Sequence, residues 1–206
     1  MALDLIVYAP GAGGNHLKNL LCLSPVFANS RDLDPTIYDF RDPLHANGEV
    51  WMRGGRNLQA VFFDAMDRDP VARWILPAHF GELQQFRTRL ASVDHKRMII
   101  ITLDHESDRR LLDGRQLRLG QAIHPYWLDE ELVWIYQPDT MHKFFGIDHC
   151  LTISLSQFWA KEFVAGVQMD QIEQYLAVTL DRSLAQDLHA KWIQANFGQF
   201  DQKRDL

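Results

Sequence analysis

Apolar and polar positions alternate along this chain in runs whose period changes from strand-like to helix-like and back. Residues 3–9, Leu-Asp-Leu-Ile-Val-Tyr-Ala, form a short, largely apolar run with the composition of a buried strand. From Asn15 the period is helical, with Leu17, Leu20, Leu21 and Ser24 at helical spacing. Leu58, Val61, Phe62, Ala65 and Met66 predict an amphipathic helix over 57–67, ended by Pro70. Residues 72–78 read as a second buried strand, and Leu83, Phe86 and Leu90 mark a following helix. Residues 97–103, Arg-Met-Ile-Ile-Ile-Thr-Leu, are the strongest interior strand, and 106–118 return as a helix rich in Arg and Leu. Residues 150–155 predict a late strand. Ile172, Tyr175, Leu176, Thr179 and Leu180 give one closing helix its face. The other opens with Ser183 and Gln186 at capping-box spacing and lines up Leu184, Leu188 and Trp192.

The remaining segments are less regular. Residues 24–35 are rich in turn formers, and 36–40 read as a short strand. Residues 43–56 carry Asn47-Gly48 and Gly54-Gly55 around a short apolar run, the pattern of a hairpin or a surface excursion. Trp127, Trp134 and Tyr136 lie near Glu130 and Glu131 in a stretch whose period is mixed. Strands alternating with helices imply an α/β protein, a three-layer α/β/α arrangement on a mainly parallel sheet, folded as a single domain over 1–206. Ligands of such sheets gather beyond the C-terminal strand ends, which directs attention to the residues after Ala9, Ala78 and Leu103.

Composition narrows the class. A hydrophobic content of 47% over 206 residues supports a real core and argues against disorder. No run reaches the roughly 20 apolar residues of a membrane-crossing helix. The start shows no basic segment followed by an apolar one, so no signal peptide is expected. Cys22 and Cys150 are the only cysteines and read as free thiols of a reducing cytosol, hence a cytoplasmic protein. A net charge of −6 argues against a general grip on nucleic acid.

The candidate chemistry begins at residues 10–14, Pro-Gly-Ala-Gly-Gly, between the first strand and the first helix. Strand, glycine-rich turn, helix is a layout that aims backbone N–H groups and a helix N-terminus at one spot, where an anion is favoured. A Walker A loop needs Gly-Lys-Ser/Thr at the helix start, where Asn15 and His16 stand here. A dinucleotide fingerprint needs a third glycine where His16 stands. The stretch from Pro10 through Gly11, Ala12, Gly13, Gly14, Asn15 and His16 to Leu17 instead resembles the 5′-phosphosulfate loop of the sulfotransferase family.

That resemblance implies a P-loop NTPase-like α/β fold, the cofactor 3′-phosphoadenosine 5′-phosphosulfate (PAPS), and Pro10 to His16 as its 5′ site. Asn15 and His16 would be side-chain donors. Many members carry a lysine directly after the proline, where this chain has Gly11; Lys18, four residues after Gly14, is the alternative cation, and a solvated surface lysine is the other reading of it. His79, at the end of the second strand, matches the family's strand that ends in a histidine, although Pro77 stands where a lysine is usual. It is the candidate base, since histidine titrates near working pH; a hydrogen-bonded structural histidine is the plainer reading.

Two further positions depart from the family. Its third strand usually ends in an Arg that holds the cofactor's 3′-phosphate with a later Ser; here these are Asp104 and Leu112. Ser107, Arg109 and Arg110 are nearby substitutes, because a guanidinium grips phosphate in bidentate fashion, or else an ordinary solvated helix face. An apolar strand ending in Asp104 also resembles a Walker B element, which keeps a kinase using Mg-ATP open as a second function. A non-catalytic binding module on the same fold is the third. Residues 151–158 and 171–178 look like the family's closing strand and helix and bear on fold alone. No metal-ligand spacing or nucleophile elbow occurs; His142 and His149 only flank a turn, and Trp127, Trp134 and Tyr136 read as core or as stacking residues. The acceptor and the oligomeric state are not encoded in any motif.

Overall fold

Every side chain from Leu3 to Ala9 is buried in the computed structural model, none more than 4% exposed. That is the setting of a strand covered on both faces, and it explains why the run is continuously apolar rather than alternating. The structure describes residues 2–9, 11–32, 58–103, 106–118, 136–147 and 149–197. The strand expected at 36–40, the 43–56 excursion, Trp127 and Trp134 lie outside these residues, as do Pro10 and Asp104.

The elements run in the order β1 (Ala2–Val7), α1 (Gly14–Leu21), a 3-10 turn (Ala28–Asp32), α2 (Leu58–Arg68), β2 (Arg73–Ala78), α3 (Phe80–Gln85), α4 (Arg87–Ala91) and β3 (His95–Thr102). There follow α5 (Glu106–Arg118), α6 (Pro138–Phe145), β4 (Cys150–Ser154), α7 (Leu155–Phe158), α8 (Val167–Leu176) and α9 (Arg182–Phe197). The described strands form one parallel sheet in the order β2-β1-β3-β4. The protein is therefore α/β with a parallel sheet. Val7 stands opposite Ala78 on one side and Ile100 on the other, so the chain leaves β1, β2 and β3 at the same edge.

The described chain divides into two compact units. The first comprises Met1–Gly14 with Arg73–Ala160, the second Asn15–Ala72 with Lys161–Leu206. In the first, Leu5, Ile6, Met98, Ile99, Ile100 and Ile101 are at most 1% exposed. Truncating one of these to Ala removes contacts on the face its side chain occupies, a loss of about 2–5 kcal/mol. Asp4 interrupts the apolar run, yet it too is buried. Nε of Arg73 lies 2.5 Å from one of its carboxylate oxygens and Nε of Arg97 lies 2.8 Å from the other. A buried carboxylate persists only with such partners. Helix α7 packs against β3, β4 and α5. Its Ser156 N–H donates to Oδ1 of the fully buried Asp108 at 2.8 Å.

In the second unit, α1 has no solvent face beyond its first turn, since His16 to Cys22 are all buried. His16 Nε2 lies 3.2 Å from His189 Nδ1, and the His16 ring stacks on Trp192 with centroids 4.4 Å apart. Arg182, at the start of α9, binds Asp170, Glu173 and the Val164 carbonyl.

Three expectations about helices shift. The helix through Leu83, Phe86 and Leu90 is two short helices, broken at Phe86, whose φ of −111° and ψ of 24° are not helical; all three side chains remain buried. Helix α8 ends at Leu176. Ala177 turns to φ 51°, and the N–H groups of Ala177 and Val178 close back onto the carbonyls of Gln174 and Glu173. This is a Schellman ending, and it leaves Thr179 and Leu180 outside the helix. The cap of α9 is Asp181 rather than Ser183: Oδ1 of Asp181 accepts the Leu184 N–H at 3.0 Å, because the helix starts at Arg182. Among the described residues no helix is long and apolar enough to cross a membrane, and Cys22 and Cys150 are free thiols.

Candidate functional site

The glycine loop is built by glycine's tolerance of positive φ at two positions and by bareness at a third. The chain leaves β1 at Tyr8, whose N–H still reaches the Ala78 carbonyl at 3.4 Å. The Ala12 N–H bonds the Ala9 carbonyl at 2.9 Å and closes a turn with Gly11 at its third position, where φ is 84°. Gly13 follows at φ 90°. Gly14 opens α1, and a Cβ there would lie 2.1 Å from Cδ1 of Tyr8. Its bareness admits the tyrosine ring, whereas the sequence assigned it to the approach of an anion. Across the loop, the buried indole Nε1 of Trp159 donates to the Ala12 carbonyl at 3.1 Å.

His79 stands at the same edge of the sheet. It caps α3, its N–H donating to Oε2 of Glu82 at 2.7 Å. Its Nδ1 lies 3.0 Å from the Tyr8 carbonyl oxygen, and its ring centroid is 4.5 Å from that of Tyr8. A carbonyl only accepts, so Nδ1 carries the hydrogen and the neutral ring keeps its lone pair on Nε2. Nε2 meets no hydrogen-bonding partner among the described residues, and the side chain is half-buried. This leaves Nε2 as the acceptor nitrogen of the neutral ring. Close by, burial raises the Tyr136 phenol above its ordinary pKa; the Phe80 backbone hydrogen bond opposes this and the Glu82 charge adds to it.

The other candidates scatter. His16 is fully buried against His189 and Trp192 in the second unit, so its imidazole is not an outward-facing donor. Lys18 is 1% exposed in that same unit, which replaces the solvated lysine of one reading with a buried one. The reason is shared: α1 is buried all round, and its sequence period showed only the leucines. Asn15 is half-buried, and Pro10 lies outside the described residues. Arg110 is exposed and pairs with Glu106 at 2.5 Å, an ordinary solvent-face ion pair. Arg109 differs. It is half-buried, and its Nε is shielded from solvent with no hydrogen-bonding partner among the described residues. Among the described residues no three His, Cys, Asp or Glu side chains converge as metal ligands.

The sequence reading missed Tyr8 and Trp159. Tyr8 left one trace, a bulky aromatic at a strand end followed by glycines; Trp159 left none, since nothing in spacing ties it to the loop. No family profile, no characterised protein and no solved structure matches the chain.

Proposed function

We propose that this chain is a sulfotransferase-like protein on a P-loop-like α/β fold, transferring a sulfuryl group from PAPS to a hydroxyl or amine acceptor. One observation carries the reading. Tyr8, the residue that leads from the central strand into the glycine loop, also fixes His79 through its carbonyl and its ring, so a base with a bare Nε2 stands beside that loop.

The residues present fit the cofactor in two respects. The Gly13 N–H has no partner among the described residues, and Arg109 keeps a shielded guanidinium nitrogen without one. Gly13 and Gly14 would take the 5′ group, and Arg109 the 3′-phosphate, through N–H donors and positive charge. When bound, PAPS supplies the sulfuryl group and its phosphate leaving group. His79 accepts the acceptor's proton at Nε2, and the N–H donors of the loop balance charge that builds on the transferring group. His16 and Lys18 are given no part in contacting it.

Thermal shift with 3′-phosphoadenosine 5′-phosphate (PAP), against ATP with Mg²⁺, tests the reading. PAP alone raising the melting temperature is the expected result. Stabilisation by Mg-ATP alone would transfer the assignment to a kinase with Asp104 at the metal, and no response to either would leave a binding module.

A further inference from the structure

Resting on the anion-binding reading above, we propose that Trp159 is a positioning residue that sets the polarity of the glycine loop. A trans peptide is planar, and its C=O and N–H point in opposite directions. The Ala12 carbonyl and the Gly13 N–H belong to one such peptide. The Trp159 indole holds that carbonyl on its own side at 3.1 Å, and thereby holds the Gly13 N–H on the opposite side. Gly13 is half-exposed, and its N–H meets no partner among the described residues.

Among the described residues no second hydrogen bond holds the Ala12 carbonyl or the Gly13 N–H. Gly13 sits at φ 90°, and glycine accepts either sign of φ, so rotation of the 12–13 peptide is sterically cheap. The preceding peptide lacks that freedom because the Ala12 N–H is tied to the Ala9 carbonyl at 2.9 Å. A flipped 12–13 peptide would present oxygen lone pairs where an N–H stood, and an oxyanion there would be repelled rather than bound. The flip would also strip the buried indole N–H of this acceptor, which is the penalty that opposes it.

Trp159 is itself well held. It is 7% exposed, and its backbone N–H bonds the Leu155 carbonyl at 2.9 Å at the end of α7. That helix is capped by Ser154, the last residue of β4. A side chain placed by β4 and α7, 147 positions from Ala12, thus decides whether the loop after β1 offers hydrogen or oxygen.

The test uses Trp159→Phe in the full chain, which keeps an aromatic ring and removes the N–H. Wild-type protein titrated with PAP, and then with inorganic sulfate, sets the reference. The variant is expected to bind PAP about tenfold more weakly, the effect of one ordinary hydrogen bond. It should also lose the ligand-induced downfield shift of the Gly13 amide in a ¹H–¹⁵N spectrum. Wild-type affinity together with an unchanged Gly13 response would overturn the role of Trp159 and leave the anion site standing. A wild-type protein that binds neither PAP nor sulfate would overturn the anion reading and this role with it. If Trp159→Phe does not fold, hydrogen exchange on the wild type decides: a slowly exchanging indole N–H with a single Gly13 resonance supports the proposal. A freely exchanging indole, or a Gly13 amide split into two forms, refutes it.

Discussion

Nδ1 of His79 donates to the Tyr8 carbonyl oxygen at 3.0 Å, and that one bond selects the tautomer of the imidazole. Ring ¹⁵N shifts of the neutral imidazole should therefore show the hydrogen on Nδ1 and none on Nε2; a dominant Nε2–H tautomer would remove the base assignment. His79→Asn, which keeps a short donor near the Tyr8 carbonyl, should retain the PAP-induced thermal shift. Its sulfuryl transfer, followed as PAP released from PAPS with a phenol or amine acceptor, should fall by about 10²–10⁴. Transfer at the wild-type rate would sink the role.

Gly14→Ala forces a methyl group to within 2.1 Å of the Tyr8 ring. Overpacking of this kind costs about 1–3 kcal/mol, measured by denaturant unfolding. In a Tyr8→Ala background the same change should cost far less, since the ring it strikes is gone. Strict additivity of the two substitutions would show that ring and helix start do not touch.

Asp4→Ala leaves the guanidinium groups of Arg73 and Arg97 without their shared carboxylate. The expected loss is about 2–4 kcal/mol, below that of a wholly buried pair because the Arg97 side chain is 33% exposed. A loss of a few tenths of a kcal/mol would mean that this cross-strand tie contributes little.

Alkaline pH gives a separate handle. Burial holds the Tyr136 phenol above its ordinary value of 10.0, so the unfolded chain gives up this proton first. The stability it contributes is complete below pH 10.0 and is lost as the pH rises further. Tyr136→Phe should flatten the fall in stability above about pH 10, and an unchanged slope there would contradict the buried setting.

How far the sequence could be read follows from which forces are local. Strands β1 and β3 were legible because burial on both faces demands a nearly unbroken apolar run, as in residues 98–101. The glycine loop was legible because positive φ at Gly11 and Gly13 selects glycine. The break at Phe86 was hidden, since two short helices can keep the same spacing of buried residues as one. The burial of His16 and Lys18 was hidden for a related reason. Polar residues on a helix normally mark its wet side, and only contacts with distant residues such as His189 and Trp192 reverse that. His79 could be found at a strand end, but its tautomer depends on a carbonyl 71 positions away.

The place of β1 between β2 and β3 also governs how the chain must assemble. Asp4 reaches Arg73 across 69 positions and Arg97 across 93, so no neighbour in sequence can satisfy the strand's edges. Until β2 is synthesised a sticky Leu-Ile-Val segment waits with both flanks bare, and the flank that β3 will cover stays bare longer, for seconds at ribosomal speed. Formation of the sheet is then limited by closing long loops, and a chain interrupted before β3 would leave this segment free to pair with another molecule.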